Sequence, residues 1–272
     1  MSRRRVVFSC LLAIACTGAL LAQSAKPKAA PTARADLKPG QAIEVVFVGN
    51  SYTFFHDLPA MVRALGAAQK PPRKVETVVV APGGFTLQAH WEAKGNDGAR
   101  AVLGDRKPDF VVLQEQSRRP IDDPAAMQTF AGKLAKVVRD RGAVPVWYAT
   151  WARKAAPDDQ GKLDEQYGKA ARDHGGLLAP VGHAWQQVLA AADPVALHDA
   201  DGSHPSPAGS YLAACVLFAT MCGGDVDTFP DKLAVKGDDG KERVLVELPA
   251  AQGRLLRSMA ARALAAGTPG KK

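Results

Sequence analysis

The chain has 272 residues, 47% of them hydrophobic, and a formal net charge of +8. That length and apolar content suffice for one large α/β domain with a sizeable core. No stripe of lysine and arginine interleaved with aromatic residues accompanies the positive charge, and no Walker or dinucleotide-binding motif occurs, so nucleic-acid and nucleotide functions find no support.

At the start of the chain, Arg3-Arg4-Arg5 precedes an apolar run from Val6 to Ala22, and Ala22-Gln23-Ser24 fits a cleavage site of the small-x-small kind. Residues 1–24 are therefore expected to be a signal peptide, which predicts an exported protein, periplasmic or extracellular. Its removal deletes three arginines and no acid, taking the formal charge from +8 to +5. Ser9, Cys10, Cys16, Thr17 and Gly18 interrupt a run already short for a retained membrane span. Ala13-Ile14-Ala15-Cys16 is a poor lipoprotein box, with more apolar sequence after it, so anchoring at Cys16 is not expected. Residues 25–40 combine prolines and charges without periodicity and read as a flexible lead-in. A single domain is predicted over 41–266, with 267–272 as a tail.

Ile43 to Val48 is nearly unbroken apolar sequence of strand length, apart from Glu44, and it stops at Gly49-Asn50-Ser51, a turn that leaves Ser51 at a strand's carboxyl end. Leu58, Met61, Val62 and Leu65 mark one face of a helix over about 57–70. Val75 to Val80 is a second strand ending at Ala81-Pro82-Gly83-Gly84, followed by helical pieces over 86–93 and 99–103. Asp109 to Leu113 is a third strand, running into Gln114-Glu115-Gln116-Ser117. A helix over 124–141, a strand over 144–149, a helix over 159–174, a short strand over 177–181 and a helix over 183–192 continue the alternation. Strands and helices alternating in this way give a parallel sheet of about five strands covered on both faces. Ser206 and Pro207 open a further helix that continues to Met221. Residues 233–247 suggest a hairpin around Asp238-Asp239-Gly240, and 252–266 a closing helix. Cys215 and Cys222, two turns and roughly 10 Å apart on one helix, cannot bridge each other and are expected to be reduced.

Asp201 and His204, three apart in one loop, can place a carboxylate on the imidazole Nδ1 and leave Nε2 to take a proton from a hydroxyl. With Ser51 they would form a nucleophilic triad. Residue 53 is Thr, so Ser51 does not lie in the Gly-x-Ser-x-Gly elbow of an α/β-hydrolase. Oxyanion donors are available at the ends of three successive strands: the Ser51 N–H, the Gly84 N–H and a side-chain amide from Gln114, placed ahead of Gln116. Tyr52, His90 and Trp91 are candidates to line a substrate pocket. His56, His174, His183 and His198 have no partner evident from spacing. No metal or other cofactor is expected: Asp199-Ala200-Asp201-Gly202 resembles the start of a calcium loop, but its sixth and twelfth positions are His204 and Ser210, where Gly and Glu would be required.

Val46-Phe47-Val48-Gly49-Asn50-Ser51, Gly84-Phe85-Thr86-Leu87 and Asp201-Gly202-Ser203-His204-Pro205 stand in the order of three sequence blocks of the SGNH hydrolases, the GDSL-like esterase superfamily. The chain resembles that family from about Ile43 to Gly224, and more narrowly the branch whose first block reads F-x-G-N-S-Y-T. The resemblance implies a flavodoxin-like three-layer α/β/α sandwich, Ser-His-Asp hydrolysis of esters without a cofactor, and a small-molecule or carbohydrate ester as substrate, short acyl or O-acetyl. The third block departs from the family pattern, with Leu113-Gln114-Glu115-Gln116-Ser117 where an asparagine is usual. Alternatives are a catalytically silent glycan-binding protein of the same fold, or a lipase or thioesterase of the same superfamily. Oligomeric state is left open.

Overall fold

A computed structural model describes residues 37–237 and 239–266. The expected signal peptide, Cys10 and Cys16, the lead-in up to residue 36 and the tail lie outside the described residues. The elements in order are β1 (Ile43–Val48), α1 (Ser51–Phe54), α2 (Leu58–Ala67), β2 (Val75–Val80), α3 (Leu87–Glu92), α4 (Ala99–Leu103), β3 (Phe110–Leu113), α5 (Arg119–Asp122), α6 (Pro124–Asp140), β4 (Val144–Tyr148), α7 (Gln160–His174), β5 (Leu177–Ala179), α8 (Val181–Leu189), α9 (Pro207–Cys222), β6 (Lys232–Lys236), β7 (Glu242–Glu247) and α10 (Ala250–Ala266).

β1 owes its apolar composition to its place in the sheet. The strand order is β2-β1-β3-β4-β5, all pairs parallel, so β1 has a strand on each side and helices on each face. Val45 and Phe47 face α2, α8, α9 and α10, while Val46 and Val48 face α3, α6 and α7, the alternation a pleated strand imposes. Fully burying one such side chain contributes roughly 1.5–3 kcal/mol. Glu44, the exception in the run, sits at the amino end, where its carboxylate meets Arg106 at 3.1 Å and its N–H donates to Asp109 at 2.9 Å.

This is the three-layer sandwich that the alternation predicts. The register places Val48 beside Val80 on one side and Leu113 on the other, so the chain leaves β1, β2 and β3 at the same rim. Strand order reverses between β1 and β3, and such a switch point opens a crevice at the carboxyl ends of the strands. Ser51 follows β1 directly into that crevice.

α9 is buried along almost its whole length because the antiparallel β6–β7 pair and α10 cover the side that the sheet does not. Cys215 lies inside it with its thiol pushed up to about 12 by burial; it and Cys222 are free thiols. The domain also begins earlier than residue 41. Leu37 packs on the core, and the Arg73 guanidinium holds the carbonyls of Lys38 (3.0 Å) and Gln41 (2.6 Å), so residues 37–40 belong to the fold. β5 ends at Ala179 and α8 starts at Val181, because Pro180 stops the strand and stands as the helix N-cap. Among the described residues, no helix is long and apolar enough to cross a membrane.

Candidate active site

The turn after β1 is held from three directions. Gly49 N–H donates to Val80 O at 3.2 Å, and Asn50 N–H donates to Gln114 Oε1 at 2.9 Å. The Asn50 side chain caps α1: Oδ1 accepts from Tyr52 N–H at 3.1 Å, while Nδ2 donates to Phe85 O at 2.9 Å and so joins the first block to the second. Ser51 is therefore the first residue of a one-turn helix, with its own N–H among those a helix start leaves without an intrahelical partner. Position 49 must be glycine because a Cβ there would fall 2.2 Å from Thr53 Oγ1 and 2.5 Å from Gln114 Oε1.

The loop before α9 supplies the partners. Asp201 Oδ1 accepts the N–H groups of Ser203 (2.8 Å) and His204 (2.9 Å), and Oδ2 meets His204 Nδ1 in a short contact. The other ring nitrogen, Nε2, lies 2.8 Å from Ser51 Oγ. The His204 hydrogen bond, helped by the two backbone N–H groups, holds the Asp201 carboxyl down at about 2. A proton on Nδ1, facing a carboxylate, leaves the Nε2 lone pair directed at the serine hydroxyl.

The His204 ring is also packed, with Phe55 stacked on its face at 4.2 Å and the Tyr52 edge at 5.6 Å. Trp151 Nε1–H donates to Ser203 O (3.0 Å), Lys154 N–H to Gly202 O (2.9 Å) and His56 Nε2–H to Pro205 O (2.9 Å). His56 and the following Asp57 adopt left-handed backbone, φ 52° and 53°, a conformation uncommon away from glycine that costs of order 1–3 kcal/mol per residue. That bend carries the His56 ring to Pro205 and lets Asp57 cap α2 and pair with Arg243.

Several expected pocket residues have other work. Tyr52 is 3% exposed; its hydroxyl meets Ser203 Oγ at 2.7 Å and its ring stacks on Trp151, so it braces the two halves of the site. His90 is sealed beneath the serine turn with Nε2–H on Gly49 O at 2.7 Å, and burial lowers its pKa, favouring the neutral ring. Trp91 packs beside α4 and α6 under Arg100 and Lys133. Burial leaves Tyr52 and His90 little surface to offer a substrate, whereas Trp91 keeps part of its ring exposed.

Of the expected oxyanion donors, Gly84 lies on the loop that Asn50 tethers, at φ 73°, a conformation that favours glycine. Gln114 is different. It is fully buried behind the turn; its Oε1 accepts from Asn50 N–H and Thr53 Oγ1–H, and its Nε2 donates to Glu115 O at 2.5 Å. A side chain anchored there supports the nucleophile from below and offers no donor to the crevice. Gln116 accepts the N–H groups of Arg118 and Arg119 through Oε1, capping α5.

Glu115, between the two glutamines, was missed from sequence. Its Oε1 accepts the N–H groups of Leu87 (3.1 Å) and Gln116 (2.7 Å), so it ties the start of α3, just beyond Gly84, to the end of β3. Burial raises its carboxyl to about 7, against those two hydrogen bonds. Phe55 and α1 were missed too, since a single turn has no periodicity to read. Among the described residues, no group of three His, Cys, Asp or Glu side chains is placed to hold a metal ion.

A serine, an imidazole and a carboxylate in a hydrogen-bonded line, at the carboxyl rim of a parallel sheet, define a serine hydrolase of α/β/α architecture. No protein-family model matches the sequence, and a comparison with curated proteins finds no match. Among solved structures, the chain is 34% identical to a protein assigned to the SGNH hydrolases from Slackia heliotrinireducens, with a TM-score of 0.58 over 66% of this chain and 98% of that one. The chain belongs to the SGNH hydrolase family, whose members are serine hydrolases of the carboxylic ester type. The same fold is found in a DUF4886 family protein from Bacteroides uniformis, at 17% identity and TM-score 0.62 over 82% of this chain and 95% of that one. It recurs in a protein assigned to the G-D-S-L lipolytic family from Desulfitobacterium hafniense, at 18% identity and TM-score 0.51 over 66% of this chain and 99% of that one.

Proposed function

We propose that the protein is an exported esterase in which Ser51, His204 and Asp201 form the catalytic triad. The observation that carries this reading is the 2.8 Å contact between His204 Nε2 and Ser51 Oγ, made while Asp201 occupies the opposite ring nitrogen. Ser51 Oγ attacks the ester carbonyl as its proton passes to His204 Nε2. The tetrahedral oxyanion is held by the backbone N–H groups of Ser51 and Gly84. Protonated His204, its charge balanced by Asp201, then delivers that proton to the leaving alcohol oxygen, and an acyl-Ser51 ester remains. Water attacks the acyl carbonyl while His204 takes its proton; collapse returns the proton to Ser51 and releases the carboxylic acid.

The substrate proposed is a short acyl ester, with O-acetyl groups on a carbohydrate as the first class to screen. Support for export is the arginine-led apolar segment of residues 1–24; support for an open substrate approach is the Asp201–His204 pair, whose side chains are 49% and 27% exposed. Ser51→Ala is expected to abolish hydrolysis of p-nitrophenyl acetate with an unchanged circular dichroism spectrum, and a fluorophosphonate is expected to label the unsubstituted protein stoichiometrically. Undiminished turnover by the variant would remove Ser51 from the mechanism.

A further inference from the structure

A cavity of about 870 Å³ lies behind the loop that carries Asp201 and His204, away from the Ser51 hydroxyl. Its volume falls within the range of small-molecule sites, about 300–1,000 Å³. Its floor is apolar: Val195 and Leu197 are buried, and Trp185 has one face covered by Trp151 at 3.9 Å. Leu189, 44% exposed, forms part of its lip. Large apolar side chains left half in solvent around a concavity are a recurrent mark of a binding surface.

The charge of the lining has one sign. Arg153 and Lys154 both border the cavity, and no Asp or Glu does. Among the described residues, neither has a carboxylate partner: Arg153 donates from Nη2 to the Ser117 hydroxyl at 3.0 Å, and the Lys154 ammonium has no partner. Two cations beside an apolar floor suit a molecule with an apolar body and one anionic end, because the head gains a charge-assisted contact while the body leaves water.

The cavity shares a wall with the catalytic loop. Lys154 N–H donates to Gly202 O at 2.9 Å, His198 Nε2–H donates to Ala152 O at 3.0 Å, and the Tyr52–Trp151–Trp185 stack runs from beside Ser51 to the cavity floor. We propose that this cavity is a second binding site, distinct from the ester crevice, for a free medium-chain carboxylate whose head group is held by Lys154 and Arg153. The site stands independently of the esterase reading, since it is defined by side chains that take no part in that chemistry.

Titration calorimetry of the full chain with monomeric decanoate at low salt tests this. Saturable binding to one site is expected, with decanol binding about tenfold more weakly or worse, because it lacks the charge that two cations reward. Lys154→Glu, at an exposed position, is expected to weaken decanoate by about tenfold or more through reversal of that attraction. Ala190→Trp, also exposed and at the lip, fills the entrance and is expected to abolish binding with the melting temperature unchanged. Protein whose Ser51 has been phosphonylated is expected to bind decanoate as before. Absence of saturable binding, equal affinity for decanol, full binding by Ala190→Trp, or loss of binding on phosphonylation, which would put the ligand in the ester crevice, would each overturn the assignment.

Discussion

Replacing Glu115 by glutamine should change how stability depends on pH. The folded carboxyl is raised to about 7 from an ordinary 4.5, chiefly because the group is 1% exposed and its charged form has lost water. Between those values the folded state keeps a proton that the unfolded chain has released, so stability falls as pH rises through that window. The penalty is absent below pH 4.5 and fully present above about 7; a displacement of that size corresponds to at most about 3 kcal/mol. The amide in Glu115→Gln would keep an oxygen for the Leu87 and Gln116 N–H groups but could not ionise. Urea denaturation of both proteins at pH 4.5 and pH 8 reads the effect, and any constant cost of fitting the amide cancels when each protein is compared with itself. Relative to the variant, the unsubstituted protein should lose about 2–3 kcal/mol between the two pH values. Parallel pH–stability curves for the two would show that the buried carboxyl is not the titrating group.

Gln114→Ala would leave Asn50 N–H and the Thr53 hydroxyl without their buried acceptor, and should lower stability by about 2 kcal/mol or more in urea denaturation. Were Gln114 instead an oxyanion donor, kcat would fall by about 10²–10³-fold with stability unchanged, and that pattern would place its amide in the crevice. Asp201→Asn removes the charge that balances protonated His204 and can present an N–H to Nδ1, fixing the wrong tautomer, so kcat for p-nitrophenyl acetate should fall by about 10⁴-fold. A loss smaller than about tenfold would mean that the carboxylate does not orient the ring.

Which parts of this molecule could be read from the chain depends on how local their causes are. The segment 43–48 announces itself because a central strand covered on both faces must be largely apolar, the edge strand 75–80 because it is rich in β-branched valine, and Gly49 and Pro82-Gly83-Gly84 mark where each stops. Asp201 and His204 were readable as a pair because three residues of one loop set their separation, and the observed contact lies within that loop. α1 escaped notice because four residues carry no period, and its N-cap signal, Asn50, is also an ordinary turn residue.

Where each side chain beyond a strand end points is a different kind of question. Gln114, Glu115 and Gln116 form a polar run that looks equally suited to face a crevice, yet the first turns under Asn50, the second ties down Leu87 and the third caps a helix. Sequence alone determined the layers, the strand ends and the residue types available for hydrolysis, since these follow from hydrophobic periodicity and short-range turn chemistry. Tertiary structure decided which amides and rings reach the crevice and which brace it from behind, and it built a cavity from segments on either side of α7. Those outcomes turn on hydrogen bonds between distant residues, such as Asn50 and Gln114, 64 positions apart, whose partners exist only once the sheet has brought three strand ends to one rim.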